Sequence, residues 1–122
     1  MNVTNLKKTR DHIAAHPDGF DQTRWMHYCG TPGCIAGYAV MACGGTLVPE
    51  HHQRDRCMTA DGEMMRADEH AEDLLELTGD QSKVMFTAVS YGIFGGQPTA
   101  AEALAMLDHA IEHGEVRWPE RS

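Results

Sequence analysis

Residues 34–43 read Cys-Ile-Ala-Gly-Tyr-Ala-Val-Met-Ala-Cys, a run with no charged side chain and no proline. As a helix this segment is apolar nearly all round. Such a helix has no face to offer solvent, so it must lie at the centre of the fold with other elements packed about it. Gly33 and Gly37 stand four apart, on one face, where a neighbouring helix can approach closely. Gly44-Gly45 ends the run. The stretch is half the ~20 residues a membrane helix requires, so protein rather than lipid is expected to cover it.

The elements that would cover it are also helical. Val3, Leu6, Arg10 and Ile13 give a weakly amphipathic first helix, capped by Asn2 or Thr4 and stopped before Pro17. Pro17-Asp18-Gly19 reads as a turn, and Phe20 and Trp25 as core anchors. The central helix is expected over residues 32–43. Thr46-Leu47-Val48 reads as a short extended segment, followed by a polar run. A third helix is expected over residues 64–77, with Ala67, Ala71, Leu74 and Leu75 on one face and Thr78-Gly79 as its stop. Asp80 would cap a fourth helix carrying Val84, Met85 and Phe86 inward, and residues 92–96 form a loop. Thr99-Ala100-Ala101-Glu102 fits a capping box and opens the last helix. Leu104, Leu107 and Ile111 are its expected stripe and Gly114 its end. The fold class is therefore mainly α: a compact single-domain bundle of four to five short helices over residues 1–122, with an ordered core at about 4–113 and a short hairpin near residues 46–60.

A chain of 122 residues can bury about two-thirds of its unfolded surface and needs no disulfide staples. The bases Lys7, Lys8 and Arg10 are followed by no apolar run, which argues against a secretory leader. The four cysteines then read as reduced thiols in a cytoplasm. Net charge is −8, and residues 61–80 carry eight acids against one base, Arg66. Nothing there neutralises a run of phosphates, so direct nucleic-acid binding is not expected. An acidic helical face built from Asp68, Glu69, Glu72, Asp73 and Glu76 can attract a basic protein surface; the plainer reading is a solvated face that keeps the chain dispersed.

The chemistry-bearing residues centre on Cys29-Gly30-Thr31-Pro32-Gly33-Cys34. Thr31 has N-cap chemistry and Pro32 suits the first helical position, which puts Cys34 in the first turn, where free N–H groups favour a thiolate. Three readings follow. Zinc is one, with Cys29, Cys34, Cys43, Cys57 and His27 as candidate ligands and His51, His52 and His70 in reserve. The second is a small Cys34-dependent enzyme paired with His27, although no residue evidently orients that histidine. The third is packing, since free cysteine in an apolar helix behaves as a small hydrophobe. His109-Ala110-Ile111-Glu112-His113 matches H-x-x-E-H. At ~100° per residue both histidines fall opposite the apolar stripe, which makes them exposed helix residues.

These residues also carry a resemblance. Phe20-Asp21 with Trp25, the string Cys29-Gly30-Thr31-x-x-Cys34-Ile35-Ala36-Gly37, then Ala71-x-x-Leu74-Leu75-x-Leu77 and the helix led by Pro98-Thr99 are similar to those of a family of small proteins from actinobacteria and their phages. The likeness covers roughly residues 4–113, and its cysteine-centred string is its most specific part. Gly33 and Tyr38 stand where that family often has other residues. What it implies is a phage or mobile-element setting in a bacterial cytoplasm, and no reaction. Together the residues favour a non-enzymatic module that binds a protein partner with a basic surface, with a structural zinc domain and a Cys34 enzyme as the alternatives.

Overall fold

The computed structural model describes residues 1–21, 34–48, 56–87 and 98–119. In chain order it has helix α1 (Val3–Ala15), a 3-10 turn (Pro17–Gly19), helix α2 (Ile35–Ala42), strands β1 (Thr46–Leu47), β2 (Arg56–Met58) and β3 (Met64–Arg66), and helices α3 (Ala67–Leu75), α4 (Gly79–Thr87) and α5 (Ala100–His113). The mainly helical expectation holds. Helix α2 sits at the centre, with residues 35–40 all buried, and it packs against α1 and α3. One apolar cluster joins it to Leu6 and Ile13 of α1, Leu75 of α3, Met85 of α4 and Leu107 of α5.

Helix α1 is capped by Asn2, whose side chain accepts the Asn5 N–H at 3.0 Å. Its buried face is Leu6, Thr9 and Ile13; Thr9 enters the core because its hydroxyl donates to the Asn5 carbonyl at 2.8 Å. Val3, expected inward, is exposed. The start of α1 also satisfies the end of α3. The Asn2 N–H donates to the Leu75 carbonyl at 2.9 Å, and Asn5 Nδ2 donates to the Leu74 carbonyl at 2.7 Å, two groups a helix end leaves open.

Helix α2 begins at Ile35, three residues later than the expected start at 32, so Cys34 lies just before its first turn rather than in it. Cys34 is the N-cap, with extended φ −90° and ψ 174°; Thr31 and Pro32 lie outside the described residues, as do Trp25 and the loop at 92–96. At the other end Gly45 is indispensable. A Cβ there would meet the Met58 carbonyl oxygen and Val40 Cγ1, both at 2.8 Å.

The three strands form an antiparallel sheet in the order β1-β2-β3. Residues 64–66, expected as the start of the third helix, pair instead with β2, in the register Arg56↔Arg66, Cys57↔Met65 and Met58↔Met64. The reason is the turn before them. Gly62 takes φ +88°, its N–H donates to the Thr59 carbonyl, and the Thr59 N–H donates to the Glu63 carbonyl at 2.8 Å. Asp61-Gly62 is a hairpin signal, and it outweighs the helical pattern of the residues that follow.

Helix α3 stops at Leu75, before the expected Thr78-Gly79. Glu76 turns left-handed, φ 53° and ψ 51°, with its N–H directed to Asp73 and Glu72. The Leu77 N–H reaches the Glu72 carbonyl at 3.0 Å, and Leu77 is buried, which completes a Schellman stop. Helix α4 is opened by Thr78 rather than Asp80: the Gln81 N–H donates to Thr78 Oγ1 at 3.2 Å and the Thr78 N–H to Gln81 Oε1 at 2.9 Å. This is a Thr-x-x-Gln capping box.

Helix α5 starts at the Thr99/Glu102 capping box and ends at Gly114, φ 69°, as its sequence predicts. Its buried face differs: Ala103, Met106, Leu107 and Ala110 point inward, while Leu104 and Ile111 are only half-buried. Helix α5 packs against α1, and Arg10 Nε meets Asp108 at 2.9 Å between them. The core also runs past residue 113. Trp118 is buried, and its Nε1 donates to the Val84 carbonyl at 2.7 Å, tying the tail to α4.

Candidate partner-binding face

Helix α3 buries Ala67, Ala71 and Leu75, positions four apart that define its inner stripe. The acids fall elsewhere, and the structure divides them into two sets. Asp68 is engaged within the chain: Arg66 Nε and Nη2 reach its two oxygens at 3.1 and 3.2 Å. Glu72 lies 3.2 Å from the Ser82 hydroxyl, which it shares with the Gly79 carbonyl at 3.0 Å. Glu69, Asp73 and Glu76 are exposed, and no ion pair joins their carboxylates to a described residue. Glu69 and Asp73, four apart, are neighbours on the outside of the helix, and Glu76 follows at its left-handed C-cap.

The two ends of this stripe differ energetically. Asp68 and Glu69 lie in the first turn of α3, where the helix dipole favours negative charge by about 0.3–1 kcal/mol each. Asp73 and Glu76 sit at the opposite end, where the same dipole disfavours them. Glu76 carries a further cost, because it is the one non-glycine residue with positive φ among the described residues, and Gly or Asn fills that position with less strain. Folding accounts for the first pair of acids and not for the second.

The cysteines present a different chemistry from the expected thiolate. Cys34 is buried and its thiol is pushed up to about 12 by desolvation, with the Asp68 charge adding a little. The backbone N–H groups of Gly37 and Ala36 pull the other way, as a helix start should, but desolvation is the larger effect. Burial also raises Cys43 and Cys57. Cys29 and His27 lie outside the described residues, as do His51 and His52. Among the described residues no three His, Cys, Asp or Glu side chains converge as a metal would need, so Cys34, Cys43 and Cys57 are not brought together with His70.

This burial has a consequence at high pH. The folded Cys34 thiol keeps its proton up to about 12, while the unfolded thiol gives it up near 9. Its contribution to stability is complete below pH 9 and is lost above it, at up to about 1.4 kcal/mol per pH unit. Tyr38, Cys43 and Cys57 are raised by burial too and act in the same direction. Thermal melts at about pH 7.5 and 10.5 are expected to show a large alkaline loss, smaller in Cys34→Ala than in the parent. An equal loss in both would show that the Cys34 thiol is not desolvated.

The H-x-x-E-H pair behaves as surface chemistry. His109 and His113 lie with ring centroids 4.6 Å apart, and their nearest carboxylates are Glu115 at 3.3 Å and Glu112 at 3.7 Å. A second histidine pair escaped the sequence reading. His12 and His16, at the end of α1, have ring centroids 5.1 Å apart, and His12 stands edge-on to Tyr38 at 5.5 Å. Their four-residue spacing on a helix was the available signal, but the partner from α2 is visible only in the folded chain. No helix among the described residues is long and apolar enough to cross a membrane. No protein-family model, curated protein or solved structure matches the chain.

Proposed function

We propose that this protein is a non-enzymatic binding module whose outer α3 stripe, Glu69, Asp73 and Glu76, docks on a basic surface of a protein partner. The observation that carries the reading is Glu76. A carboxylate occupies a left-handed position that favours glycine, at the negative end of a helix, and so costs stability twice. Strain of that kind is kept where the side chain is needed for something other than folding. Asp68 and Glu72, held by Arg66 and Ser82, flank the stripe and fix its geometry more than they add free charge.

The resemblance to small actinobacterial and phage proteins supports a cytoplasmic role in a bacterial host, as an inhibitor or adaptor of host machinery. Steering by an acidic face fits such a role, since it speeds encounter with a basic partner. The test is a trade-off at one residue. Glu76→Gly is expected to raise stability by about 0.5–1 kcal/mol and to weaken binding to the partner recovered on immobilised protein. Calorimetry and a binding titration read the two effects separately. Stability gained with affinity unchanged would remove Glu76 from the docking face.

A further inference from the structure

At the junction of α1, the 3-10 turn and α2 lies a cavity of about 420 Å³, lined by His12, Ala15, His16, Asp18, Tyr38 and Met41 among others. Its size is that of sites for small ligands. Tyr38 is buried and locked in place, its hydroxyl donating to the His16 carbonyl at 2.6 Å. That bond also pins the end of α1, where His16 is the C-cap. With His12 edge-on to Tyr38 at an interplanar angle of 68°, the two rings present an aromatic wall, and Phe20 stands beyond Tyr38 at 6.3 Å. Ala15, His16 and Asp18 are exposed and form the mouth.

The polar groups at this site share one sense. Asp18 brings a carboxylate, and its charge is felt at the Tyr38 hydroxyl. The two imidazoles can each present a ring nitrogen as acceptor when neutral, and burial favours the neutral form of His12. Among the described residues the lining contains no lysine or arginine. A flat ring can pack against Tyr38 and His12, and a positive charge on it gains from the aromatic wall and from the carboxylate at the rim.

We propose that this cavity binds a small planar aromatic cation, an amidine or a protonated heteroaromatic amine, with its ring against Tyr38 and His12 and its charge toward Asp18. The site is separate from the α3 stripe and stands or falls independently of it. Because the ligand is a cation, its binding opposes protonation of His12, as burial already does. Among the described residues the titratable groups facing it are His12 from α1, His16 at its C-cap, Asp18 from the turn and Tyr38 from α2. Affinity is therefore highest above the histidine range and falls on acidification.

Benzamidine is the probe, titrated into isotope-labelled protein and followed by amide shifts, with benzyl alcohol and benzoate as neutral and anionic counterparts. Saturable shifts are expected around residues 15–19 and 38–41, with a Kd of about 1 mM or tighter at pH 7.5. The counterparts should bind at least roughly tenfold more weakly, as the charge preference requires. Asp18→Asn should weaken benzamidine by roughly fivefold or more, and Ala15→Trp, at an exposed position, should close the mouth without touching the core. Affinity should drop at about pH 5.5. Three results would each overturn the proposal: equal binding of the neutral ring, binding unchanged by both substitutions, or affinity that rises as pH falls.

Discussion

Lysine at positions 69, 73 and 76 together is expected to weaken partner binding by roughly 100-fold or more while leaving the fold intact. All three side chains are exposed, and none is ion-paired with a described residue, so their replacement leaves no buried group unsatisfied. The dipole effects leave a small net gain in stability. Glu69→Lys loses a favourable charge at the start of α3, whereas Asp73→Lys and Glu76→Lys place favourable charges at its end, each by about 0.3–1 kcal/mol. Binding has no such compensation. Each attraction becomes a repulsion, and like charges brought face to face across an interface cost several kcal/mol; about 2.7 kcal/mol already amounts to 100-fold. The loss should shrink at high ionic strength, where exposed charges are screened. Binding isotherms at low and high salt, beside thermal melts of both proteins, read the prediction.

Leu75→Ala is expected to have the opposite signature, a large loss of stability from the hidden side of the same helix. Leu75 is fully buried in the cluster that joins all five helices, and its carbonyl receives the Asn2 N–H that docks α1. Truncating a buried leucine costs about 2–5 kcal/mol, through lost transfer energy and the cavity left behind. Against a typical total of about 5–15 kcal/mol, that is a large share. Chemical denaturation should show a lower midpoint with an unchanged slope. A stability loss below about 1 kcal/mol would mean that α3 is not anchored through this residue.

The residues that were legible in the sequence are those whose effect is local. Asn2, the Thr99/Glu102 box and Gly114 act within one turn, and each sits where its chemistry requires. Thr78-x-x-Gln81 and Asp61-Gly62 were equally local signals, yet both lie beside apolar positions at helical spacing. That pattern points to one helix over 64–77 where the chain builds a strand and a shorter helix, and the next helix, expected to be capped by Asp80, is capped by Thr78. The inner face of α5 could not be settled locally either, because which side of it is covered, with Ala103 and Ala110 inward, depends on how the rest of the fold packs on it. The acidic stripe was visible as charge, but only the fold separates Asp68 and Glu72, which have partners, from Glu69, Asp73 and Glu76. Cys34 shows the same division. The helix start acts on the thiol as its sequence suggests, and the burial that outweighs it is a property of the whole core. The Tyr38 cavity brings His12 and His16 to a ring more than twenty positions later in the chain, and no single segment contains it.

The most direct test of the α3 docking face is carboxyl footprinting of the purified complex. The free protein and the complex are labelled with a carbodiimide and a small amine, and modification is read residue by residue by mass spectrometry. Docking through α3 predicts strong protection of Glu69, Asp73 and Glu76 in the complex, with Asp11, Asp61 and Glu112, exposed elsewhere on the chain, labelled as in the free protein. Equal labelling of the three α3 carboxylates in both states, with protection elsewhere, would contradict it and move the interface off this helix.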